Sequence, residues 1–272
     1  MRKIFSLLIL SSLFACSINT TTRNLQPVEF TETFTLETDI KVEKACYNSI
    51  DQVTYIWEYN TDKIHIFKAD FEVNTIGGKG VDNTNFQKLT DICLAPDGDL
   101  FALDSFDNSL KKFNKTGEMT GKMQINSNLD PKLAVIALDQ KIYIYDDKRN
   151  EIVVLNYRGN ESAAWGNLKF GEITSLELYN DLLVVYDLVN NETLFFSTYG
   201  QLVDQHAGHC YLENDQLFCL QRYYLEHKAD KAKFAVNTKP WLKVFFQSPE
   251  IIMYDGKKLI LGKIRYEKYS NQ

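Results

Sequence analysis

Residues 96–117 read Pro-Asp-Gly-Asp-Leu-Phe-Ala-Leu-Asp-Ser-Phe-Asp-Asn-Ser-Leu-Lys-Lys-Phe-Asn-Lys-Thr-Gly. Asp97-Gly98 signals a tight turn, since Asp and Gly tolerate the backbone that hairpin turns demand. A short apolar run follows, Leu100-Phe101-Ala102-Leu103, and stops at Asp104. A second polar turn reaches Asn108, and a second run ends at Phe113 before Gly117. Runs this short between turn residues describe strands rather than helix.

The same unit recurs along the chain. Thr54–Glu58, Leu100–Asp104, Ile142–Asp146, Leu183–Asp187, Leu217–Gln221 and Leu259–Gly262 are apolar segments whose last residues lie 46, 42, 41, 34 and 41 positions apart. A turn candidate precedes each one: Asp51-Gln52, Asp97-Gly98, Asp139-Gln140, Asn180-Asp181, Asn214-Asp215 and Asp255-Gly256. Downstream, Asn108 to Gly117, Asn150 to Gly159 and Asn191 to Gly200 repeat one pattern, their glycines 42 and 41 apart. Each unit therefore holds about four short strands, and a repeat of roughly 40–45 residues with four strands has the arithmetic of a propeller blade.

The fullest unit carries a family resemblance. Ile76-Gly77-Gly78-Lys79-Gly80, Phe86, Leu89, Ile92, Pro96-Asp97-Gly98, Leu100 to Asp104, Asn108, Phe113 and Gly117 resemble one NHL repeat from end to end. Later units keep the aspartate, asparagine and glycine. The resemblance spans about residues 42–263 and implies an all-β, six-bladed β-propeller over residues 27–272. It also implies that Asp104, Asp146 and Asp187 end the second strand and cap the next turn. Repetition favours that structural role, since an active site needs different residues in different blades. Val28 to Leu36 reads as a strand without a hairpin of its own and is expected to close the ring by pairing with the last blade, because an open ring leaves unpaired edges.

The N-terminus points to the compartment. Met1-Arg2-Lys3, the apolar stretch Ile4 to Phe14 and Ala15-Cys16 form a secretory signal, too short for a bilayer-spanning helix. Leu13-Phe14-Ala15-Cys16 resembles the lipobox of bacterial lipoproteins, which implies a signal peptide over 1–15 and acylation (a palmitate-type chain) on Cys16 as the membrane anchor. Ser17 resembles the residue of lipoproteins sorted to an outer membrane. Residues 16–26 read as a polar tether, with the propeller beginning at 27. Loss of Arg2 and Lys3 leaves 28 basic against 36 acidic residues, a net charge of −8, which excludes nucleic acid as a partner.

No nucleophile elbow, phosphate loop or zinc-protease motif occurs, so no cofactor is expected. His206-Ala-Gly-His209-Cys210 has the look of a metal-ligand group but lacks a partner cluster, and no metal site is assigned. His65 is expected to pack in a strand. If Asn214-Asp215 forms a two-residue turn, Glu213 faces Gln216, Tyr211 faces Phe218 and Cys210 faces Cys219 on a non-hydrogen-bonded pair. That pairing allows a Cys210–Cys219 cross-strand disulfide, though such bridges are strained, and two reduced cysteines packed in the core are the more common arrangement. Cys93 has no partner in its own hairpin and reads as core.

The fifth unit diverges. Arg222 to Lys228 reads as a lengthened link between second and third strands, with Phe234 aligned to Phe113. Candidate ligand contacts are Lys79, Asp82 and Asn83 in the glycine-rich link, His206 and His209, and Tyr223, Tyr224 and His227. The reading is an envelope binding module without enzymatic activity, its ligand a protein, peptide or glycan. The alternative comes from the resemblance: some related propellers are lyases or metal-dependent lactonases that use the central channel. Such chemistry needs unlike polar residues converging from several innermost strands. Segments such as Asp91-Ile92-Cys93-Leu94-Ala95 and Leu133-Ala134-Val135-Ile136-Ala137 look mostly apolar instead.

Overall fold

Gln52, Gly98, Gln140, Asn180, Asn214 and Asp215 all take positive φ, and each sits in a turn between the first two strands of a sheet. The chain thus reverses where the turn residues recur. The computed structural model describes residues 25–268 apart from 81, 127, 167–169 and 237–242. Signal, Cys16 and most of the tether lie outside the described residues.

The first strand is β1 (Leu25–Glu37). Blade one holds β2 (Val42–Asn48), β3 (Val53–Glu58), β4 (Lys63–Lys68) and β5 (Phe71–Gly77). Blade two holds β6 (Leu89–Leu94), β7 (Leu100–Asp104), β8 (Ser109–Phe113) and β9 (Met119–Gln124). Blade three holds β10 (Pro131–Ile136), β11 (Ile142–Asp146), β12 (Glu151–Leu155) and β13 (Glu161–Trp165). Blade four holds β14 (Ile173–Tyr179), β15 (Leu182–Asp187), β16 (Glu192–Ser197) and β17 (Leu202–Ala207). Blade five holds β18 (Cys210–Glu213), β19 (Gln216–Leu220), β20 (Tyr224–His227) and β21 (Lys233–Ala235). Blade six holds β22 (Lys243–Gln247), β23 (Glu250–Tyr254) and β24 (Lys258–Lys268), with β1 as its outermost strand.

The result is a six-bladed β-propeller of four-stranded antiparallel sheets. β1 pairs with β24 from Leu25↔Lys268 to Glu37↔Lys258, closing the ring as the sequence suggested and starting two residues before the expected boundary. Links between blades, and turns between second and third strands, emerge on one face, called here the link face. The remaining turns emerge on the opposite, hairpin face.

Two assignments change. Leu259–Gly262 lies in β24, the third strand of blade six, so Asp255-Gly256 is the turn after the second strand. The true first turn is at Ser248-Pro249, which lacks the Asn/Asp/Gly signature, so the period locked onto the next turn. In blade five, Tyr224 to His227 is a strand and the link is only Gln221 to Tyr223. Alternation decides it: Leu225 and His227 are buried while Tyr224 and Glu226 are half-exposed. Phe234 pairs with Leu225 on the fourth strand rather than occupying the third.

Blades pack face to face. Tyr55, Ile64 and Ile66 of blade one meet Ile92, Leu100, Ala102 and Phe113 of blade two. Leu36 of β1 joins Ile56, Phe67, Ile252 and Leu261 at the closing junction. Each large apolar side chain so buried contributes about 1.5–3 kcal/mol.

The aspartates fasten what the apolar faces cannot. Asp104 is fully buried and accepts from the Gln87, Lys88 and Asp107 amides at 2.9, 3.0 and 3.3 Å. Asp146 accepts from the Asp130 amide at 2.7 Å. Asp187 accepts from the Gly171, Glu172 and Asn190 amides at 2.6, 3.1 and 3.1 Å. Asp104 and Asp187 tie the link entering their blade to the following turn, which the expected cap alone did not include. Asp82 and Asn83 share such a link, the one anchored by buried Phe86. That ring covers Gly77, where a Cβ would collide with it and with the Asp62 carbonyl.

Burial pushes the Asp187 carboxyl up, but the three amides outweigh it and hold it below the usual range. Its stabilisation is therefore present above about pH 4 and lost as pH falls further. Asp187→Ala is expected to lower unfolding free energy by about 2–4 kcal/mol at pH 7 in urea titrations, against under about 0.5 kcal/mol for exposed Asp204→Ala. Deleting residues 25–37 should lower the melting temperature of the whole ring in one transition; an unchanged melt contradicts the closure.

Candidate functional site

The innermost strands put one position of each blade at the link-face mouth of the central channel. Counting back from the end of the second strand identifies it. Lys44 pairs with Trp57, Asp91 with Leu103, Leu133 with Tyr145, Ser175 with Tyr186 and Lys243 with Tyr254. In blade five the equivalent is His209, whose carbonyl accepts from the Leu220 amide at 2.8 Å. In blades one to four a register shift falls just before this position, at Val42/Lys44, Leu89/Asp91, Pro131/Leu133 and Ile173/Ser175. Bulges of this kind re-aim a side chain. The six equivalents are thus Lys, Asp, Leu, Ser, His and Lys.

One side of the mouth is a salt-bridged arc. Lys44 Nζ lies 2.5 Å from Asp91 Oδ1, and Asp91 Oδ2 accepts from the Ala134 amide at 2.9 Å, so one carboxylate joins blades one, two and three. Burial alone would lower the Lys44 ammonium, but Asp91 overcomes it and holds it above its ordinary value. Burial pushes the Asp91 carboxyl up, and Lys44 with the Ala134 and Ile92 amides pulls it back. Lys243 Nζ reaches Glu43 at 2.8 Å; at the hairpin-face end of the same two strands the Gln247 amide accepts from the Tyr47 N–H at 2.9 Å and donates back to its carbonyl at 2.5 Å. Beneath Lys44, Cys46 and Cys93 are buried free thiols, and burial pushes Cys46 up to about 12, so it is inert as a nucleophile.

The other side is an aromatic wall beside a carboxylate. Glu177, two residues beyond Ser175 and so on the same face, accepts from the Ser175 hydroxyl at 2.6 Å. It is half-buried, and desolvation pushes its carboxyl up to about 8 against the pull of Ser175 and the Lys44 charge. The His209 ring stacks on Tyr186 at 4.2 Å and meets Phe246 edge-on at 4.6 Å, and Tyr211 stacks on Phe246 at 4.5 Å. Burial drops His209 to about 3, so it is neutral at pH 7.

The expected contact residues scatter. Lys79, Asp82, Asn83, His209 and Tyr223 all lie on links at one face, but the Lys79–Asn83 link joins blades one and two, across the ring from His209. His206 sits on outermost β17, bonded to Asp204 at 3.0 Å, so it and His209 occupy opposite edges of the ring wall. Cys210 and Cys219 pair in register and are joined by a disulfide. Tyr224 opens β20 at the link-face end, half-exposed under the Lys233 ammonium, whereas His227 is buried at the hairpin-face end, bonded to Asp230 at 2.7 Å, and is no link-face contact. Arg222 covers the Tyr223 ring at 5.1 Å. His65 bridges Glu72 and Glu58 at 2.8 and 3.3 Å. Sequence reasoning missed Lys44, Asp91, Ser175, Glu177 and Lys243. They stand among other polar residues in strands of mixed composition, and only alignment back from the repeated aspartate, bulge included, would have lined them up.

No known family profile matches the chain, and no curated protein does. Solved structures do. A catalytically inactive histidine variant of virginiamycin B lyase from Staphylococcus aureus with quinupristin is 12% identical over 91% of this chain and 98% of that one, with a TM-score of 0.59. A streptogramin B lyase is 12% identical over 84% and 80%, with a TM-score of 0.58. The WD40 propeller domain of Doa1 is 12% identical over 82% and 78%, with a TM-score of 0.54. At these identities the likeness shows the propeller fold.

Glu177, raised in the folded state, favours folding fully below about pH 4.3, an advantage lost as pH rises to about 8. Glu213, buried between blades five and six and likewise pushed up to about 8, acts with the same sign. Depressed His209 has the opposite sense, losing stability as pH falls below about 6.5. Glu177→Gln should therefore raise the melting temperature by several degrees at pH 8.5, by less at pH 5.5, and leave it nearly unchanged at pH 4, as followed by circular dichroism.

Proposed function

We propose that this chain is a lipid-anchored, non-enzymatic binding module of the bacterial cell envelope, its ligand seated at the link-face mouth of the channel. One observation carries the reading: the equivalent position of six blades holds Lys44, Asp91, Leu133, Ser175, His209 and Lys243. Structural residues of the repeat recur as aspartates, while recognition needs unlike groups aimed at one point. The ligand is a protein, peptide or glycan segment narrow enough to enter the mouth.

The anchor reading rests on the lipobox-like Leu13-Phe14-Ala15-Cys16 and the polar residues after it. The NHL resemblance of the repeat and the Ser17 outer-membrane signal belong to the same proposal. β1 begins at the hairpin face, so a tether from Cys16 would leave the mouth facing away from the lipid. Ten extended residues reach roughly 35 Å.

A second reading, an enzyme working in the channel, is favoured by Glu177 and His209, whose protonation is pushed apart to about 8 and about 3. Oppositely perturbed groups mark acid–base sites.

Two measurements check the proposal. Metabolic labelling with an alkyne fatty acid should mark the wild type and be lost in Cys16→Ser, which should also leave the membrane fraction. A ligand retained from envelope extract by the immobilised chain, identified by mass spectrometry, should bind at least about tenfold more weakly to His209→Ala and equally to Asp82→Ala. Equal retention by His209→Ala removes the channel mouth as the site. A mass change of that ligand on incubation favours the enzyme.

A further inference from the structure

Building on the channel-mouth reading, we propose that the group recognised there is an organic ammonium, bound between the Glu177 carboxylate and the aromatic wall of His209, Tyr186 and Phe246.

Charges at the mouth are already matched, with one exception. Lys44 is committed to Asp91 at 2.5 Å and Lys243 to Glu43 at 2.8 Å. Glu177 has no such cation, and the Ser175 hydroxyl is its hydrogen-bond partner among the described residues. A half-buried carboxyl with no ion pair, still reached by solvent, is open to a cation that takes the place of its proton.

The kind of cation follows from the neighbours. Ser175 and Tyr186 are directly opposed across β14 and β15, and Glu177 shares their face. His209 lies flat on Tyr186, with an interplanar angle of 10°, and Phe246 closes on it edge-first. The His209 ring makes contacts with rings and no hydrogen bond among the described residues. Aromatic rings attract a cation by their quadrupoles, most strongly when water is excluded. A carboxylate flanked by rings suits a carbon-bearing ammonium, whose alkyl part packs on the wall while its charge meets Glu177. A hard metal ion needs several oxygen ligands, and no group of three or more His, Cys, Asp or Glu among the described residues offers them. An anionic ligand meets Glu177 and Asp91, and a neutral one gains nothing from the ionised form of Glu177.

The binding is linked to a proton. Glu177 faces the Lys44 ammonium across the channel with Asp91 behind it, neutral His209 from blade five and Tyr186 on its own blade. Lys243 and Glu43 lie at the level of Ser175 beyond His209. Burial leaves Glu177 protonated at neutral pH, so an ammonium must displace that proton as it enters. Affinity then rises with pH up to about 8 and levels above it.

The test is calorimetric titration of the full chain with n-butylammonium and tetramethylammonium chloride. Sodium butyrate and glucose serve as comparison probes at equal ionic strength, at pH 6.5 and 9. Saturable ammonium binding is expected, at least about tenfold tighter at pH 9. It should weaken at least about tenfold in Glu177→Gln, which mimics the protonated side chain and so keeps the fold, and stay unchanged in Glu118→Gln. No saturable ammonium binding at pH 9, or equal binding by Glu177→Gln, overturns the assignment. Binding of butyrate or glucose that His209→Ala abolishes, without ammonium binding, overturns the ammonium while the channel-mouth site stands.

Discussion

Pairing of β1 with β24 is the constraint on which the rest depends. It joins the two ends of the described chain into one sheet and fixes the circumference of the ring. Only in a closed ring are Lys243 and Glu43, 200 residues apart, held at 2.8 Å. The Gln247 side chain then bonds both backbone groups of Tyr47, an inner rung that matches the outer closure of β1 on β24. Six innermost strands are thereby set around one axis, and residues far apart in sequence share a mouth less than a side chain away from one another at Lys44 and Asp91.

The ring separates two uses of polar residues. Asp104, Asp146 and Asp187 repeat and are fully buried; Asp104 and Asp187 turn both oxygens, and Asp146 one, to backbone amides of links and turns. The residues at the mouth do not repeat. They differ from blade to blade, and their surroundings drive Glu177 towards its neutral form and His209 to its neutral form for one common reason, desolvation by protein. Repetition builds the scaffold, and departure from it builds the site.

The architecture was legible because turn chemistry and strand alternation repeat with a period that only a blade satisfies. Asn214-Asp215 even set the register that brings Cys210 opposite Cys219. Blade six misled because Ser248-Pro249 turns without an Asn, Asp or Gly, and blade five because Tyr224 to His227 alternates with aromatic and charged residues in place of aliphatic ones. The site was less legible. Asp91 in Leu-Thr-Asp-Ile-Cys-Leu and Glu177 in Ile-Thr-Ser-Leu-Glu-Leu-Tyr sit beside other polar residues, so neither strand alone marks them out. Their shared position emerges only from the bulge before them and from a ring that brings together blades one, two, four, five and six. His209 was legible for the wrong partner, since the nearby His206 points the eye to a metal pair that the blade wall keeps apart.

The central claim is that unlike side chains meet in an enclosed mouth, and the ionisation of Glu177 reports it most directly. Carbon-13 NMR of glutamate carboxyls, with Glu177 assigned by its loss in Glu177→Gln, follows that group through a pH titration. The account predicts a midpoint near 8, shifted by burial beside Ser175. A midpoint near 4, the value of a solvated glutamate, would contradict it.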